Sequence, residues 1–240
     1  MIIINSFNKL LKNLGIQVNR WNESFNEESF LLKILKENQI RILVDIGANK
    51  GQYAKQVLKS YSGKVISFEP GSSAHLNLSQ EAKEYYNWIV APKMALGSED
   101  STENLYITKN DECSSLFKPT SDLSNNEIFD IIREEKIEVN RLDKVLQKIV
   151  DINSDENVLV KIDTQGNEYD VILGCLDLDN IKFFQVEVSI KPVYLGGRDF
   201  FDCHKLLVAN NYELVKIFPG FTDSITYHTL QMDVFYRKNI

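Results

Sequence analysis

Strand-like and helix-like segments alternate regularly in the first half of this sequence. Apolar runs at 40–46 and 64–68 have the composition of buried strands, and segments with helical periodicity follow them near 52–60 and 72–86. A further strand is predicted near 88–95. Parallel strands need a long crossover connection, which a helix usually supplies. The alternation therefore predicts an α/β fold with a mainly parallel sheet and helices on both faces.

The alternation resumes in the second half of the chain. Strands are predicted near 157–163 and 182–189, and helices near 167–175 and 199–210. Two further apolar runs follow within 212–237, and no helix-length spacer separates them. Because antiparallel strands need only a short connection, these runs predict an antiparallel end to the sheet.

The middle of the sequence has a different character. Two short strand-like runs, 104–108 and 137–140, are separated by a polar stretch of roughly residues 109–135. Connections of that length are uncommon in a compact domain and are often functional. The stretch therefore predicts a loop at a binding site.

Length and composition indicate one globular domain preceded by a short extension. The chain has 240 residues, of which 43% are hydrophobic, so it can bury a sizeable core. We divide it into an N-terminal helical extension, 1–40, and a larger domain, 41–240. The formal net charge of -7 disfavours a broad basic surface, so no nucleic-acid partner is expected. No stretch approaches the about 20 apolar residues of a transmembrane helix.

Two helical patterns occupy the N-terminal extension. Apolar residues between positions 7 and 14 fall at helical spacing, and their stripe could pack on the domain or on a second subunit. A homodimer is therefore one expectation. Residues 24–39 predict another helix, with Ser24 as its N-cap.

The cysteines indicate the compartment. Cys113, Cys175 and Cys203 form no CxxC pair and no Cys/His cluster, which argues against a zinc site and a disulfide framework. Reduced thiols are typical of the cytoplasm, and we expect the protein there.

The turn "VDIGANKGQY", directly after the first strand, is the most informative segment. Gly47 and Gly51 allow a sharp bend and a close approach of the backbone to a ligand. A dinucleotide fingerprint needs glycine where Asn49 and Gln52 stand, so a pyrophosphate site is disfavoured. Asp45 would repel a pyrophosphate at the strand end. It suits a cationic ligand such as S-adenosylmethionine, which carries an ammonium and a sulfonium group.

A second acid ends the following strand. Glu69 can accept hydrogen bonds from both hydroxyls of a ribose, as acids do in dinucleotide sites and in S-adenosylmethionine sites. Glu69 alone therefore leaves the cofactor open, and the spacing of the preceding turn discriminates. No G-x-x-x-x-G-K-[ST] segment occurs, which disfavours a phosphate-binding P-loop.

Several segments occur together in the order of a known family. The four main ones are "VDIGANKGQY" (44–53), "VISFEP" (65–70), "ALGSED" (95–100) and "VLVKIDTQGNEYDVILGC" (158–175). Shorter support comes from "SSL" (114–116), "VNRLD" (139–143) and "VEVS" (186–189). With them the chain resembles the FkbM-type S-adenosylmethionine-dependent methyltransferases over about residues 42–190. Gln165 departs modestly from that family's pattern, because Glu is common at its position.

The resemblance implies a class I methyltransferase fold, which is Rossmann-like: a seven-stranded, mainly parallel sheet with one antiparallel strand. It also implies S-adenosylmethionine as cofactor and methyl transfer to oxygen, with a small-molecule or glycan acceptor such as a sugar or natural-product hydroxyl. The residues that it implies at the cofactor are Asp45, Gly47, Asn49 and Gly51 around the methionine part, Glu69 with its neighbour Pro70 at the ribose, Ala95 and Leu96 near the adenine, and Ser114, Ser115 and Asp163 toward the reacting end.

The strand at 157–163 and its successor offer the catalytic candidates. Asp163 ends this strand, Lys161 precedes it on the same face, and Glu187 stands near the end of the next strand. Neighbouring parallel strands would bring Asp163 and Glu187 to one rim, as a general base with a partner or as ligands of a divalent metal. Carboxylates favour Mg2+. Glu168 could join them, or could merely stabilise a helix N-terminus.

Two other functions are compatible with a Rossmann-like fold. A nicotinamide-dependent oxidoreductase or epimerase would need glycine at position 49, where Asn49 stands instead. A non-catalytic interaction protein could keep the fold without the chemistry, but Asp45, Glu69 and Asp163 argue against it. For a methyltransferase, the loops at 109–135 and 191–200 would select the acceptor.

Overall fold

The structure, a computed structural model, describes most of the chain: residue 11 and residues 26–121, 126–153, 155–223 and 226–239. The chain divides into two compact units, residues 1–39 and residues 40–240. In chain order, helices α1 to α6 are Glu27–Glu37, Gln52–Leu58, Ser72–Glu81, Leu142–Ile149, Glu168–Leu173 and Phe200–Ala209. Strands β1 to β10 are Ile40–Ile46, Lys64–Phe68, Trp88–Val90, Ala95–Leu96, Ser101–Thr108, Ile131–Asn140, Asn157–Ile162, Ile181–Ser189, Tyr212–Pro219 and Gln231–Lys238.

The first unit contains helix α1. Its N-cap is Asn26, whose side-chain oxygen accepts a hydrogen bond from the Ser29 backbone N at 2.8 Å. The helix is therefore shorter than the 24–39 predicted from the sequence, because Asn26 fixes its start. Ser24 and the apolar stripe predicted between residues 7 and 14, apart from Leu11, lie outside the described residues.

The second unit is built on the predicted seven-stranded sheet. Its strand order is β3-β2-β1-β7-β8-β10-β9. All neighbours from β3 to β8 pair in parallel, whereas β10 runs antiparallel to both β8 and β9. The prediction of a mainly parallel sheet with one antiparallel strand is confirmed.

The central strand β1 is buried along almost its whole length. Ile42, Leu43 and Val44 are fully inaccessible to solvent, as is typical of parallel strands covered on both faces. Ile42 and Val44 share one hydrophobic cluster with Leu142 and Leu146 of α4, whereas Leu43 points to the opposite face. The register pairs Asp45 of β1 with a residue of β2 and with one of β7, which brings the ends of three strands together.

A second, three-stranded sheet was not predicted. Its order is β4-β6-β5, with β4 parallel and β5 antiparallel to β6. Both long strands extend beyond the runs at 104–108 and 137–140, so the connection between them is shorter than predicted. The reason lies in β6, where only Ile137 and Val139 are buried and the hydrophobic pattern is correspondingly short.

Helix α4 also went unpredicted, although its sequence carries a signal. Leu142, Val145 and Leu146 are buried at helical spacing in this segment.

Cys113, Cys175 and Cys203 are free thiols. Among the helices in the described part of the chain, none has the length and apolar character needed to cross a membrane.

Candidate active site

A cavity of about 370 Å³ opens beyond the carboxyl ends of the central strands. Gly47 follows β1, Glu69 follows β2, Asp163 follows β7 and Glu187 lies near the end of β8, and all four line the cavity. Ligands of open α/β sheets bind at this edge. The cavity is therefore the candidate site in the second unit.

The turn after β1 has no room for larger residues at its glycines. An ideal Cβ on Gly47, whose φ is +77°, would lie 1.7 Å from the Asp163 backbone oxygen. On Gly51, whose φ is +87°, it would lie 2.4 Å from the Trp88 ring. Between them Asn49 adopts a φ of +47°, which asparagine tolerates better than most residues. Gly47 thus lets β1 and β7 end side by side, and Gly51 lets the turn pack on β3.

Glu69 is held by two backbone N–H groups. Asn49 N donates to its Oε2 at 2.8 Å, and Gly71 N donates to its Oε1 at 2.7 Å. Burial raises the pKa of this carboxyl to about 7, although the two hydrogen bonds oppose the rise. The acid therefore faces the cavity in one orientation, and its remaining lone pairs can accept further hydrogen bonds.

Asp45 lies behind the cavity wall and is fully buried. Its Oδ1 is 3.4 Å from Lys161 Nζ, and Ser67 Oγ is 3.4 Å from its Oδ2. Lys161 Nζ is also 3.3 Å from Asp163 Oδ2. Burial raises the pKa of Asp45, with Lys161 opposing. Burial alone would lower the pKa of Lys161, but Asp163 and Asp45 raise it, so this ammonium links the two carboxyl groups.

Asp163 and Glu187 meet across one amide group. Gln165 Nε2 donates to Asp163 Oδ1 and to Glu187 Oε2, both at 2.8 Å. Gln231 Nε2, at the start of β10, also donates to Glu187 Oε2, at 2.9 Å. Burial, followed by the charges of Asp163 and other acids, raises the pKa of Glu187 to about 9. The predicted meeting of the two acids at one rim is thus observed.

The sequence model of the methyltransferase FkbM domain matches residues 45–214, which include every residue lining the cavity. The chain belongs to the FkbM methyltransferase family. This membership decides for a methyltransferase over the nicotinamide-dependent alternative. No curated protein matches the chain significantly.

Several solved structures are similar to this FkbM methyltransferase at low sequence identity. A putative S-adenosylmethionine-dependent methyltransferase from Listeria monocytogenes is 8% identical, with a TM-score of 0.51 over 89% of this chain and 98% of that one. Magnesium protoporphyrin IX methyltransferase from Synechocystis, with bound cofactor, is 10% identical, with a TM-score of 0.49 over 99% of this chain and 96% of that one. A putative tRNA methyltransferase from Streptococcus pneumoniae is 9% identical, with a TM-score of 0.48 over 90% of this chain and 71% of that one. The Listeria likeness supports the class I methyltransferase fold.

Most of the predicted site residues of this FkbM methyltransferase line the cavity. They are Gly47, Asn49, Glu69, Pro70, Ala95, Leu96, Ser114, Ser115, Lys161, Asp163 and Glu187. Asp45 and Gly51 do not line it: the first lies beneath Lys161, and the second packs on Trp88. Their roles at a cofactor stay predictions. The geometry lets Asp45 affect the cavity only through Lys161, and Gly51 only through the packing of the turn on Trp88.

Glu168 turns away from the cavity in this FkbM methyltransferase. Its Oε1 accepts hydrogen bonds from Thr164 N at 3.0 Å and from Gly166 N at 2.9 Å. Burial raises the pKa of Glu168, and the hydrogen bonds oppose the rise. The carboxyl group therefore organises the turn between β7 and α5. The sequence left two roles open for Glu168, as a partner of Asp163 and Glu187 or as a stabiliser of the start of the next helix. The geometry fits the second, structural role.

The acid pair of this FkbM methyltransferase does not fit the magnesium ion considered from the sequence. A divalent cation would need open oxygen ligands, but Gln165 Nε2 donates into the space between Asp163 and Glu187. The other oxygen of Asp163 faces the Lys161 ammonium. Within the described residues, no group of three or more His, Cys, Asp or Glu side chains is arranged to hold a metal.

Several side-chain contacts at this site were not predicted from the sequence. Tyr194 OH lies 3.0 Å from both Gln165 Oε1 and the Cys113 backbone oxygen. Ser115 Oγ donates to the Gln165 backbone oxygen at 2.6 Å. Tyr194 falls within the loop at 191–200 that was predicted to select the acceptor, but its contact with Gln165 was not predicted. Gln231 carried no signal, because it lies far along the chain.

Proposed function

We propose that this FkbM methyltransferase transfers a methyl group from S-adenosylmethionine to a hydroxyl of a sugar, glycan or natural product. The observation that carries the proposal is the arrangement of the cavity. Glu69 stands at one end, and the Asp163–Glu187 pair stands at the other. Residues 41–240 would form the catalytic domain, and residues 1–40 a helical extension.

The residues around Glu69 fit the nucleoside part of the cofactor. Both oxygens of Glu69 are fixed by backbone N–H groups and retain lone pairs for ribose hydroxyls. Ala95, Leu96 and Leu105 provide an apolar wall suited to adenine. Gly47 and Asn49 would approach the methionine part. When bound, S-adenosylmethionine supplies a methyl group that is already activated by the sulfonium.

The residues at the other end would orient the acceptor and take its proton. Asp163 is held between Lys161 and Gln165, so its carboxylate faces the cavity in a fixed position. We assign Asp163 as the general base that accepts the hydroxyl proton while the new O–CH3 bond forms and the S–CH3 bond breaks. Glu187, whose raised pKa keeps it protonated near neutral pH, would orient the acceptor oxygen.

The charge of the cavity favours a small neutral acceptor over nucleic acid. Five carboxyl groups line it: Glu69, Asp111, Glu112, Asp163 and Glu187. Lys161 is the basic residue of the lining, and two carboxyl groups share it. A phosphate backbone would meet negative charge here and, in view of the net charge of -7, over the protein as a whole.

Compartment and assembly complete the proposal. Free thiols at Cys113, Cys175 and Cys203 suit a cytoplasmic location, because the cytoplasm keeps thiols reduced. A homodimer stays a prediction from the N-terminal stripe. Sedimentation of the full chain and of a variant with polar residues in that stripe would test it.

Calorimetry tests the cofactor. We expect S-adenosylmethionine and S-adenosylhomocysteine to bind in a 1:1 complex and NAD to give no heat above dilution. Preferential binding of NAD, or no binding of either sulfur compound, would refute the proposed cofactor.

Methyl transfer tests the acceptor class. The full chain is incubated with methyl-labelled S-adenosylmethionine and separate pools of free sugars, lipid-linked glycans, polyketides and RNA. We expect label in a small-molecule or glycan pool, in an alkali-stable O-methyl group. Asp163→Asn should lower the rate by about 100-fold or more, as expected for loss of a general base. Label confined to RNA would refute the acceptor class.

A further inference from the structure

Gln165 joins four segments of the chain at the edge of the cavity. Its side-chain nitrogen donates to Asp163 after β7 and to Glu187 on β8, each at 2.8 Å. Its side-chain oxygen lies 3.0 Å from Tyr194 OH, and its backbone oxygen accepts from Ser115 Oγ at 2.6 Å. Both the nitrogen and the oxygen of the side-chain amide thus have hydrogen-bond partners.

The orientation of the Gln165 amide follows from its neighbours. The reverse orientation would place the amide oxygen 2.8 Å from the carboxylate oxygen Asp163 Oδ1, with no proton donor between these two acceptors. The buried hydroxyl of Tyr194, a residue of which only 1% is exposed, is compatible with the observed orientation, because it can donate to the amide oxygen. Each N–H of the amide is therefore available to one carboxyl group.

The backbone of Gln165 is bent to allow these contacts. Its φ is +55°, a left-handed conformation that is uncommon for residues with a side chain. Such conformations persist where the surroundings fix them, and they are frequent at functional sites. Here Glu168 fixes the turn through the N–H groups of Thr164 and Gly166.

We propose that Gln165 is a positioning residue that holds Asp163 and Glu187 together in the acceptor part of the cavity, in the place that a divalent cation would need. The acceptor part is defined by the proposed function, so the inference rests on that function. The amide donates one hydrogen to each acid, and it can do so whether or not Glu187 carries a proton. It therefore keeps the pair in register without a metal.

A direct consequence concerns metal binding. Gln165→Glu replaces the central donor by a third carboxylate beside Asp163 and Glu187. Three neighbouring carboxylates supply the oxygen ligands and the negative charge that divalent cations prefer. The substitution should therefore create a cation site where the wild-type protein has none.

Manganese serves as the probe, and the free ion is measured by electron paramagnetic resonance. We expect no saturable Mn2+ binding by the wild-type chain at millimolar concentration. The Gln165→Glu variant should bind one Mn2+ ion, with a dissociation constant roughly tenfold or more below the highest Mn2+ concentration at which the wild type shows no saturable binding. Its thermal stability should fall without a cation and recover with Mn2+, while that of the wild type should not respond. A Gln165 side chain that does not lie between the two acids would give no such rescue.

Gln231→Glu is the matched control. Gln231 Nε2 donates to the same oxygen of Glu187 at 2.9 Å, but no hydrogen bond joins it to Asp163. The same chemical change should therefore give a smaller gain in Mn2+ affinity than Gln165→Glu. Equal gains in the two variants would contradict the assignment to Gln165.

Two further results would overturn the inference. One is stoichiometric binding of Mn2+ or Mg2+ by the wild-type chain at the Asp163–Glu187 pair, and this measurement does not depend on the folding of any variant. The other is a Gln165→Glu variant that is folded by circular dichroism and gains no Mn2+ binding. S-adenosylhomocysteine binding is followed in parallel, so that failure of the proposed cofactor is recognised separately from failure of the positioning role.

Discussion

The two ends of the cavity hold their carboxyl groups in different ways. Glu69 is held by the main chain, through Asn49 N and Gly71 N. Asp163 and Glu187 are held by side chains, among which the amide of Gln165 serves both. A site built from backbone donors depends on the path of the chain, whereas a site built from side-chain donors depends on residue identity.

The difference also concerns distance along the sequence. Glu69 and its two donors fall within 49–71, between the turn after β1 and the segment that follows β2. The acid pair draws on Lys161, Tyr194 and Gln231, which belong to three separate segments. We therefore expect substitutions that alter the backbone to damage the first end most, and changes of single polar groups to damage the second.

The largest effect is expected from one added methyl group at Gly47. In Gly47→Ala the Cβ would lie 1.7 Å from the Asp163 backbone oxygen, at a φ of +77°. Steric overlap and backbone strain together should lower the free energy of unfolding by about 3–5 kcal/mol. Urea denaturation followed by circular dichroism measures the loss.

Gly196→Ala is the control for that substitution. Gly196 has a φ of +89°, but its nearest neighbours are atoms of the Phe117 ring, at 3.5 Å. It carries the conformational strain without the overlap, so the expected loss is only about 1 kcal/mol. Similar losses in the two variants would show that the close approach of β1 and β7 is unimportant.

Next in size is the effect of Glu69→Gln on cofactor binding. Removing a charged hydrogen-bond acceptor costs about 1.5–3 kcal/mol, so the affinity for S-adenosylhomocysteine should fall roughly 10–100-fold. Because the pKa of Glu69 is raised to about 7, the wild-type affinity should increase as the pH rises through that value. Calorimetry across this range should show no such increase for the variant.

The raised pKa of Glu69 also predicts the direction in which the stability of the unliganded protein changes with pH. The folded state keeps the Glu69 proton up to about pH 7, whereas the unfolded chain releases it near the ordinary value of 4.5. Between these values the folded state binds more protons, so its stability decreases as the pH rises. A pH-independent difference between the wild type and Glu69→Gln would contradict the raised pKa.

A smaller effect is expected from Tyr194→Phe at the acceptor end. The buried hydroxyl lies 3.0 Å from Gln165 Oε1 and from the Cys113 oxygen, and its removal should cost about 1–2 kcal/mol of unfolding free energy. The affinity for S-adenosylhomocysteine should stay unchanged, because Glu69 and its donors are untouched. Loss of cofactor binding in this variant would mean that the two ends are not separable.

The smallest effect near neutral pH is expected from Glu187→Gln. Burial and neighbouring acids raise the pKa of Glu187 to about 9, so its carboxyl group is neutral there and resembles an amide in shape. The change in unfolding free energy should stay below about 1 kcal/mol. The wild type should lose stability as the pH rises from the ordinary 4.5 toward 9, and this part of the loss should be absent in the variant.

Much of the fold could be predicted because its signals are local. Alternating apolar runs and helical periodicity predicted the order of the main strands and helices along the chain, and the short spacer before the last strand predicted the antiparallel end. The second sheet could not be predicted in the same way. Its strand β6 buries only Ile137 and Val139, so the pattern resembles a polar loop.

The candidate site divides along the same line. Gly47 and Glu69 were predicted because glycine and acid at strand ends have a local physical reason. Gln165 was seen only as a departure from a pattern, since its two carboxyl partners come together through the sheet. Glu168 stayed a candidate for catalysis because the sequence does not show the direction of its side chain. That direction is set by the turn that Glu168 organises. Side-chain contacts between distant segments leave no local trace.

Strand β10 has a further consequence for the order in which the protein is completed. It inserts between β8 and β9 and carries Gln231, a donor to Glu187. During synthesis, β1, β2 and β7 are all available for pairing once residue 163 has emerged, because the chain grows from its N-terminal end. The acid pair must wait for β10. The acceptor end of the cavity is therefore completed later in synthesis than the part of the sheet formed by β1, β2 and β7.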